Sequence, residues 1–292
     1  MIRIGIIGTE SSHAMSFAKI INLPDPKTGR CRYENARVVG VYGADMETAS
    51  AIMDQTQVDF IAEKPEDFFG KVDAMMVTSR CGSVHYQYAL PFIRKGIPLF
   101  VDKPFTSDYR QSVELIDEAK KNHALICGGS GCKYAYDVLM LQNSVQIGVM
   151  NQEFITGSVN FAAELDSIHD GFFFYSPHLT EIALTIFGYD MLSVKAIEKN
   201  GSVIVIARYQ DYDITLNYTR DSEVSSCLLF TKNKNIYREI DISLIHEHES
   251  DKFIEMIETG RMPMSYEHLI KPVAVISAIL ESLKTQQEIS IT

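Results

Sequence analysis

Continuous apolar runs alternate with amphipathic segments along the first part of the chain, and this alternation constrains the fold more than any other feature of the sequence. The runs are typical of strands buried on both faces of a sheet: IRIGIIG, ARVVGVYG, VDAMMVTS, IPLFVDKPF and ALICGGSG. The segments between them repeat apolar residues at helical spacing, as in METASAIM and SVELIDEAKKNH. A strand, a helix and a strand in this order predict right-handed crossovers, and therefore a doubly wound parallel sheet.

Beyond about Tyr136 the pattern changes to longer β-type runs, which are FITGSVNFAAEL, SVKAIEKNGSVIVIARY, DITLNYT and SCLLFTKN. Asn200 and Gly201 are a strong signal for a hairpin turn. We predict that only one helix, SPHLTEIALTIFG, interrupts these strands, so that they form a mainly antiparallel, open sheet. The predicted architecture is α/β, with a Rossmann-type domain over residues 1–128 and an α+β domain over residues 129–292. Closing helices at about 250–286 are expected to pack back toward the first domain.

Composition restricts the classes of partner. The 292 residues carry a net charge of −11, which repels phosphate backbones and makes nucleic acid an unfavourable partner. Five cysteines, an odd number without paired short spacing, favour thiols in a reducing compartment, and we expect Cys127 and Cys132 to be packing residues. Because we find neither a leader pattern nor an apolar run long enough for a membrane span, we expect a cytoplasmic protein without a membrane partner.

The stretch GTESSH follows the first predicted strand, where a dinucleotide-binding loop would carry three glycines. Gly8 keeps the first of them, whereas Glu10 and His13 stand at the other two positions. Ser11 and Ser12 offer hydroxyl groups and an N-cap at the start of the next helix, whose N-terminus attracts phosphate. A carboxylate beside a pyrophosphate is unfavourable by roughly 1 kcal/mol in water. The side chain of Glu10 must therefore point away, or the loop no longer holds a dinucleotide.

An acidic residue after the second strand would bind the adenosine ribose in such a domain. Gly43 occupies the aligned position, and Asp45 lies two residues further on. Asp45 could reach the ribose or could cap the helix that begins at Met46. No arginine follows at once to receive a 2′-phosphate, so the sequence favours NAD over NADP.

The motif HEHE, from His246 to Glu249, suggests a metal site, since two imidazoles two residues apart on a strand share one face. No third ligand is evident elsewhere. We therefore predict a solvated turn before a cap at Ser250, and no metal.

Several motifs together resemble the Gfo/Idh/MocA family of glucose-fructose oxidoreductases and inositol dehydrogenases, over nearly the full chain. VDKPF resembles the family's E-K-P signature, with Asp102 in place of the glutamate, and VDAMMVTSRCGSVHYQYA resembles the strand and loop that end in a histidine. The resemblance implies a Rossmann domain that binds a nicotinamide dinucleotide. It places Thr78, His85, Lys103 and Pro104 at the cofactor, with the lysine facing nicotinamide and substrate.

SPHLTEIALTIFG resembles the family's substrate-domain segment and matches its histidine to His178. The catalytic aspartate of the polyol dehydrogenases is replaced by Phe174, four residues earlier. Lys103 is expected to polarise the reacting oxygen and His178 to orient it or move its proton, although a surface lysine and a capping histidine are the alternatives. We expect Tyr175 near the substrate. Lys133, Tyr134 and Tyr136 could line the site or could pack between domains.

The predicted function is hydride transfer between NAD, or NADP, and a sugar-like or polyol-like small molecule. The alternative is a non-catalytic relative that binds or senses a small metabolite or a dinucleotide, for which Glu10 and Phe174 argue. The C-terminal sheet is expected to pair subunits into a homodimer or homotetramer.

Overall fold

The computed structural model describes residues 1–222 and 224–291 of the chain. It divides the chain into two compact units. Unit 1 comprises Met1–Thr106, Arg110–Gly129 and His246–Leu269, and unit 2 comprises Ser107–Tyr109, Ser130–Ile245 and Ile270–Thr292. The chain therefore leaves unit 1 after the strand that ends at Gly129 and returns to it at His246.

Unit 1 is built on a parallel sheet of six strands. The strands are β1 (Ile2–Ile7), β2 (Ala36–Tyr42), β3 (Phe60–Ile61), β4 (Ala74–Val77), β5 (Leu99–Asp102) and β6 (Ile126–Gly129). Their spatial order is β3-β2-β1-β4-β5-β6, and every neighbouring pair is parallel. The strand order reverses at β1, and ligands of open α/β sheets bind at the carboxyl ends of the strands beside such a reversal. The predicted doubly wound sheet is confirmed.

Eight α-helices lie within the described residues. In chain order they are α1 (Ser12–Asn22), α2 (Met46–Thr56), α3 (His85–Ile93), α4 (Tyr109–Asn122), α5 (Tyr136–Met150), α6 (Ser176–Phe187), α7 (Ile245–Thr259) and α8 (Tyr266–Thr285). None of these helices combines the length and the apolar composition needed to cross a membrane.

Aromatic packing attaches α7 to the core of unit 1. Phe17 of α1 lies edge-on to Phe100 of β5, with 5.1 Å between ring centroids. Phe100 in turn contacts Phe253 of α7, with 6.0 Å between centroids. All three side chains are buried. A helix from the end of the sequence thus covers one face of the parallel sheet.

Unit 2 contains a mainly antiparallel sheet of seven strands. The strands are β7 (Phe154–Ala162), β8 (Ser193–Lys199), β9 (Ser202–Arg208), β10 (Asp213–Thr219), β11 (Ser226–Thr231), β12 (Asn235–Glu239) and β13 (Ile289–Ser290). Their order is β12-β11-β7-β10-β9-β8-β13, with the single parallel pair between β7 and β10. Asn200 and Gly201 form the β8–β9 turn with φ of 55° and 79°, as the sequence predicts.

Two sequence expectations are wrong. Helix α5, at Tyr136–Met150, was not predicted, because apolar side chains lie all around it. The exposed apolar residues of this helix include Leu139, Met140, Ile147, Val149 and Met150. The HEHE motif is not a solvated turn but the first turn of α7, with Glu249 only 3% exposed. Since the helical period carries Glu249 to the same side as His246, the motif contributes to the interior of unit 1.

Candidate active site

Gly8 forms a tight turn between β1 and the loop before α1. Its φ is +104°, and a Cβ atom there would lie 2.6 Å from the Cα of Ser79. The Thr78 hydroxyl donates to the Ile7 carbonyl at 3.1 Å and so ties β4 to the same turn. Only glycine fits this position, which is the tight turn that the first glycine of a dinucleotide-binding loop allows.

The N-terminus of α1 follows directly. Ser11 is the N-cap, and its side chain accepts a hydrogen bond from the His13 N–H at 3.3 Å. Ser12 is the first helical residue, so its hydroxyl and the N–H groups of this first turn lie at the carboxyl edge of the sheet. Glu10 Oε1 accepts from the backbone N–H of Arg80 at 3.4 Å, which turns the carboxylate toward the loop after β4. The turn and the helix N-terminus fit a pyrophosphate.

Asp45 caps α2. Its Oδ1 accepts a hydrogen bond from the Glu47 N–H at 3.0 Å. Asp45 is exposed beyond the end of β2. The backbone carbonyl of Asp45 accepts a hydrogen bond from the Thr48 hydroxyl at 2.9 Å. Capping, one of the two roles open from the sequence, is therefore observed, and ribose binding stays a prediction.

The end of β5 carries a buried ion pair. Asp102, 2% exposed, accepts from the Lys103 N–H through Oδ1 at 2.7 Å and faces His13 Nδ1 through Oδ2 at 2.6 Å. Burial opposes ionisation of Asp102, but the charge and hydrogen bond of His13 outweigh it and lower the pKa of the carboxyl group. Lys103 itself is only 7% exposed, so it is not a surface lysine, which was the alternative open from the sequence.

His85 connects the loops after β4 and β5. Its Nδ1 lies 2.7 Å from the carbonyl oxygen of Pro104, and its Nε2 lies 2.7 Å from that of Ser79. The imidazole is completely buried. Because both ring nitrogens face backbone carbonyls, His85 holds the end of β4 at a fixed separation from the end of β5, which carries Lys103.

Two residues that the sequence did not assign to a site reach this region from α7. The imidazole of His246 contacts that of His13, with 4.4 Å between ring centroids, and its Nδ1 lies 3.1 Å from Glu249 Oε2. Burial raises the pKa of Glu249, against the opposing hydrogen bond of His246. The available signal was the spacing of three residues between His246 and Glu249, which places both on one side of a helix. Among the described residues, no cluster of three or more His, Cys, Asp or Glu side chains could hold a metal ion.

In unit 2, His178 lies in the first turn of α6 and is 7% exposed. Its Nδ1 is 2.7 Å from the Ser130 hydroxyl and 3.4 Å from Cys132 Sγ. The rings of Phe161 and Tyr175 lie 5.2 Å and 5.6 Å from the imidazole centroid. A hydroxyl and two aromatic rings thus fix the orientation of His178.

Lys133 and Glu181 form a second buried pair, with Nζ and Oε1 3.2 Å apart and both side chains at most 2% exposed. Glu181 also accepts from the Ser130 N–H at 3.4 Å. The pair therefore braces the segment that orients His178. Tyr136, by contrast, is 69% exposed at the start of α5.

Phe174 stands next to Tyr175, with ring centroids 4.9 Å apart, and it also contacts His169 at 4.9 Å. The surroundings of Phe174 are therefore aromatic. Together with Tyr175 and His178, Phe174 forms an aromatic stretch at the start of α6.

The structure gathers the predicted site residues within each unit. In unit 1 they surround the carboxyl ends of β1, β4 and β5, and they are Gly8, Ser11, Ser12, His13, Thr78, His85, Lys103 and Pro104. Asp45 lies apart from them, after β2. In unit 2 the contacts link His178 to Tyr175 and Phe174 on one side and, through Ser130 and Glu181, to Lys133 on the other.

Comparison with solved structures identifies the fold over the whole chain. Scyllo-inositol dehydrogenase from Lactobacillus casei, solved with bound NAD(H) and scyllo-inositol, superposes with a TM-score of 0.83 at 12% identity, covering 100% of this chain and 99% of that chain. Myo-inositol 2-dehydrogenase from Lactobacillus plantarum gives the same TM-score, identity and coverage. Myo-inositol dehydrogenase from Lactobacillus casei, in complex with NAD(H) and myo-inositol, gives a TM-score of 0.79 at 14% identity, covering 100% of this chain and 97% of that one.

No curated protein sequence matches the chain. The family model GFO_IDH_MocA, described as an oxidoreductase family with an NAD-binding Rossmann fold, matches residues 2–129. This range begins at β1 and ends with β6, so it contains the glycine turn and the Asp102–Lys103 strand end. Residues 2–129 are thus similar to the GFO_IDH_MocA oxidoreductase family, and the parallel sheet of unit 1 lies within the range that matches its NAD-binding Rossmann fold.

Proposed function

We propose that this protein is a nicotinamide-dependent dehydrogenase or reductase that transfers hydride between NAD and a carbinol carbon of a sugar-like or polyol-like small molecule. The observation that supports the proposal best is the buried Lys103 amine at the carboxyl end of β5, in the same unit as the glycine turn. Residues at this edge of a doubly wound sheet are placed to contact a bound dinucleotide. A buried lysine is otherwise rare, because desolvation of its charge is unfavourable.

The residues of unit 1 fit a dinucleotide. The turn at Gly8 leaves no room for a side chain, and the N-terminus of α1 supplies hydrogen-bond donors and a partial positive charge for the pyrophosphate. Asp45 can contact the ribose through the carboxylate oxygen that does not cap α2. The bound nicotinamide would supply the site that accepts or donates hydride. NAD is favoured over NADP, since no arginine follows Asp45 at once to receive a 2′-phosphate.

In the proposal, Lys103 and His178 are the residues of this chain that act on the substrate. Lys103 donates a hydrogen bond to the reacting oxygen and stabilises charge that develops on it. The Ser130 hydroxyl at Nδ1 orients the His178 imidazole, so that Nε2 is the atom we assign to the substrate. Lys133 acts on this site through its ion pair with Glu181.

The aromatic side chains in unit 2 restrict the substrate class. Phe174 cannot accept a proton or bond a hydroxyl group, and Tyr175 and Phe161 surround the imidazole with rings. A substrate with an apolar or flat face fits this arrangement better than a fully hydroxylated polyol. Myo-inositol and glucose are therefore expected to be poor substrates.

Titration of the purified protein with NADH and NADPH, followed by nucleotide fluorescence and by calorimetry, tests the proposal. We expect binding of NADH that is stronger than binding of NADPH. No heat and no thermal shift at millimolar concentrations of both nucleotides would refute the dehydrogenase function. Binding without turnover of any of a panel of sugars, inositols and cyclic ketones would favour the non-catalytic alternative.

We further propose that a second copy of the chain pairs with the outer face of the sheet in unit 2, where Ile197, Ile204 and Ile206 are exposed. We place the protein in the cytoplasm. Its five cysteines, an odd number without paired short spacing, support this location.

A further inference from the structure

Four ionisable side chains from three separate elements form a continuous row in unit 1. Asp102 at the end of β5 contacts His13 of α1, His13 contacts the ring of His246, and His246 hydrogen-bonds Glu249 within α7. We call these four residues the acid–imidazole row. The two carboxyl groups at its ends are 2% and 3% exposed, and the side chains of the two imidazoles are 21% and 24% exposed.

The row exists because His13 replaces the third glycine of the dinucleotide-binding pattern. A glycine there would leave the buried Asp102 carboxylate without its imidazole partner. An unpartnered buried charge is strongly destabilising, so the histidine and the aspartate depend on each other. His13 is also the second residue of α1, next to the N–H groups that are offered to phosphate.

The charge state of His13 depends on every element that packs against it. Burial disfavours the imidazolium, but the charge and hydrogen bond of Asp102 and the charge of Glu249 together raise the pKa of His13 above its ordinary value. Lys103, on the same strand end, acts in the opposite direction. His246 lies against the ring, and Glu10 on the preceding loop is turned toward Arg80.

We propose that His246 and Glu249 are positioning residues of the cofactor site, which keep His13 charged and paired with Asp102 so that the loop retains a positive group for the dinucleotide phosphates. This inference rests on the proposed NAD(H) binding. The charged imidazole of His13 gives the loop a positive group for the phosphates, whereas the family pattern has a glycine at this position. It also explains why α7, far along the sequence, contributes a buried glutamate to the dinucleotide-binding unit.

The consequence is a pH-dependent affinity. His13 is charged below its raised pKa and neutral above it, while Asp102 stays ionised throughout. NADH should therefore bind more weakly as the pH rises through the pKa of His13, by about fivefold or more across the transition. Glu249→Gln removes a negative charge that favours the imidazolium, so the midpoint should move to lower pH.

The experiment is a titration with NADH, followed by fluorescence, between pH 5.5 and 9 at constant ionic strength. The unaltered protein, His13→Gln, Glu249→Gln and His246→Asn are compared with two controls from the same HEHE motif, Glu247→Gln and His248→Gln. We expect His13→Gln to abolish the pH dependence, Glu249→Gln and His246→Asn to lower its midpoint, and the controls to leave it unchanged. His246→Asn changes a partly exposed ring, so it tests the proposal even if Glu249→Gln does not fold.

Proton NMR of the protein without nucleotide gives a second readout. His13→Gln identifies the His13 resonance among those of the eight histidines. The titration midpoint of that resonance should fall in Glu249→Gln and stay constant in His248→Gln. Unaltered midpoints in Glu249→Gln, or an undiminished pH dependence in His13→Gln, would overturn the inference while leaving NADH binding intact. Absence of NADH binding by the unaltered protein would overturn the proposed function and, with it, the role given to the row.

Discussion

The amine of Lys103 is the single group on which the proposed chemistry depends most. Because it is assigned to the reacting oxygen and only indirectly to the dinucleotide, Lys103→Met should lower kcat by about a hundredfold and change the Kd for NADH little. Lys19→Met, at an exposed lysine of α1 in the same unit, is the control and should retain activity. Equal, small losses in turnover and in nucleotide affinity would make Lys103 a structural residue.

In the proposed function, Phe174 restricts which substrates the site accepts. A hydroxyl group buried against its ring forgoes roughly 1–3 kcal/mol of hydrogen bonding, so kcat/KM for myo-inositol should be low. Phe174→Asp should raise it, whereas Phe174→Leu should not, and steady-state assays with NAD measure both. Efficient oxidation of myo-inositol by the unaltered protein would show that the position does not select substrates.

The sequence predicted candidate site residues where chemistry and chain position coincide, and it did not predict the candidates that depend on long-range packing. Gly8, Ser11 and Lys103 follow strands directly, so the parallel sheet alone brings them to one edge. His246 and Glu249 arrive there through contacts distant in sequence, such as that of Phe253, further along α7, with Phe100 of β5. No local pattern encodes that contact.

At the scale of elements, strands were easier to predict than one of the helices. A strand such as β1 is covered on both faces, so an unbroken apolar run in the sequence predicts it. Helix α5 buries Val138, Leu141, Val145 and Gly148 at helical spacing, but its other side is also apolar. The helical period is therefore masked, and the stretch resembles the β-type runs that follow it.

The β1–α1 turn has a measurable energetic requirement. Gly8→Ala adds a Cβ against the Ser79 backbone at a φ that side chains rarely adopt, so it should lower the free energy of unfolding by about 2–4 kcal/mol. Gly70→Ala is the control, since its φ is +78° but no atom lies within 4 Å of the added Cβ. It should be destabilising by only about 1 kcal/mol. Urea denaturation measures both, and equal losses would contradict the close packing at Gly8.

At the scale of the whole molecule, the sheet of unit 2 has an outer face suited to a second copy. The register places Ile197 opposite Ile204, and Ile206 opposite Thr215, with Asn217 opposite Ile204 on the other side. Lys195 of β8 also lies opposite Ile206, whereas the other residues of this set are uncharged. This part of the face therefore adds no negative charge to a chain whose net charge is −11. Exposed apolar patches of this kind mark interfaces, and a two-fold axis makes the patch self-complementary.

Ile206→Glu should disrupt that interface. In a two-fold dimer the substitution buries two carboxylates against apolar partners, which is unfavourable by several kcal/mol and shifts a micromolar assembly to monomers. Ile168→Glu is the matched control, because Ile168 is 92% exposed in a loop of the same unit. Sedimentation velocity over a range of concentrations should give a dimer or tetramer for the unaltered protein and for the control, and a smaller species for Ile206→Glu. A monomer in all three samples, or an assembly that Ile206→Glu leaves intact, would show that this face is not the contact between copies.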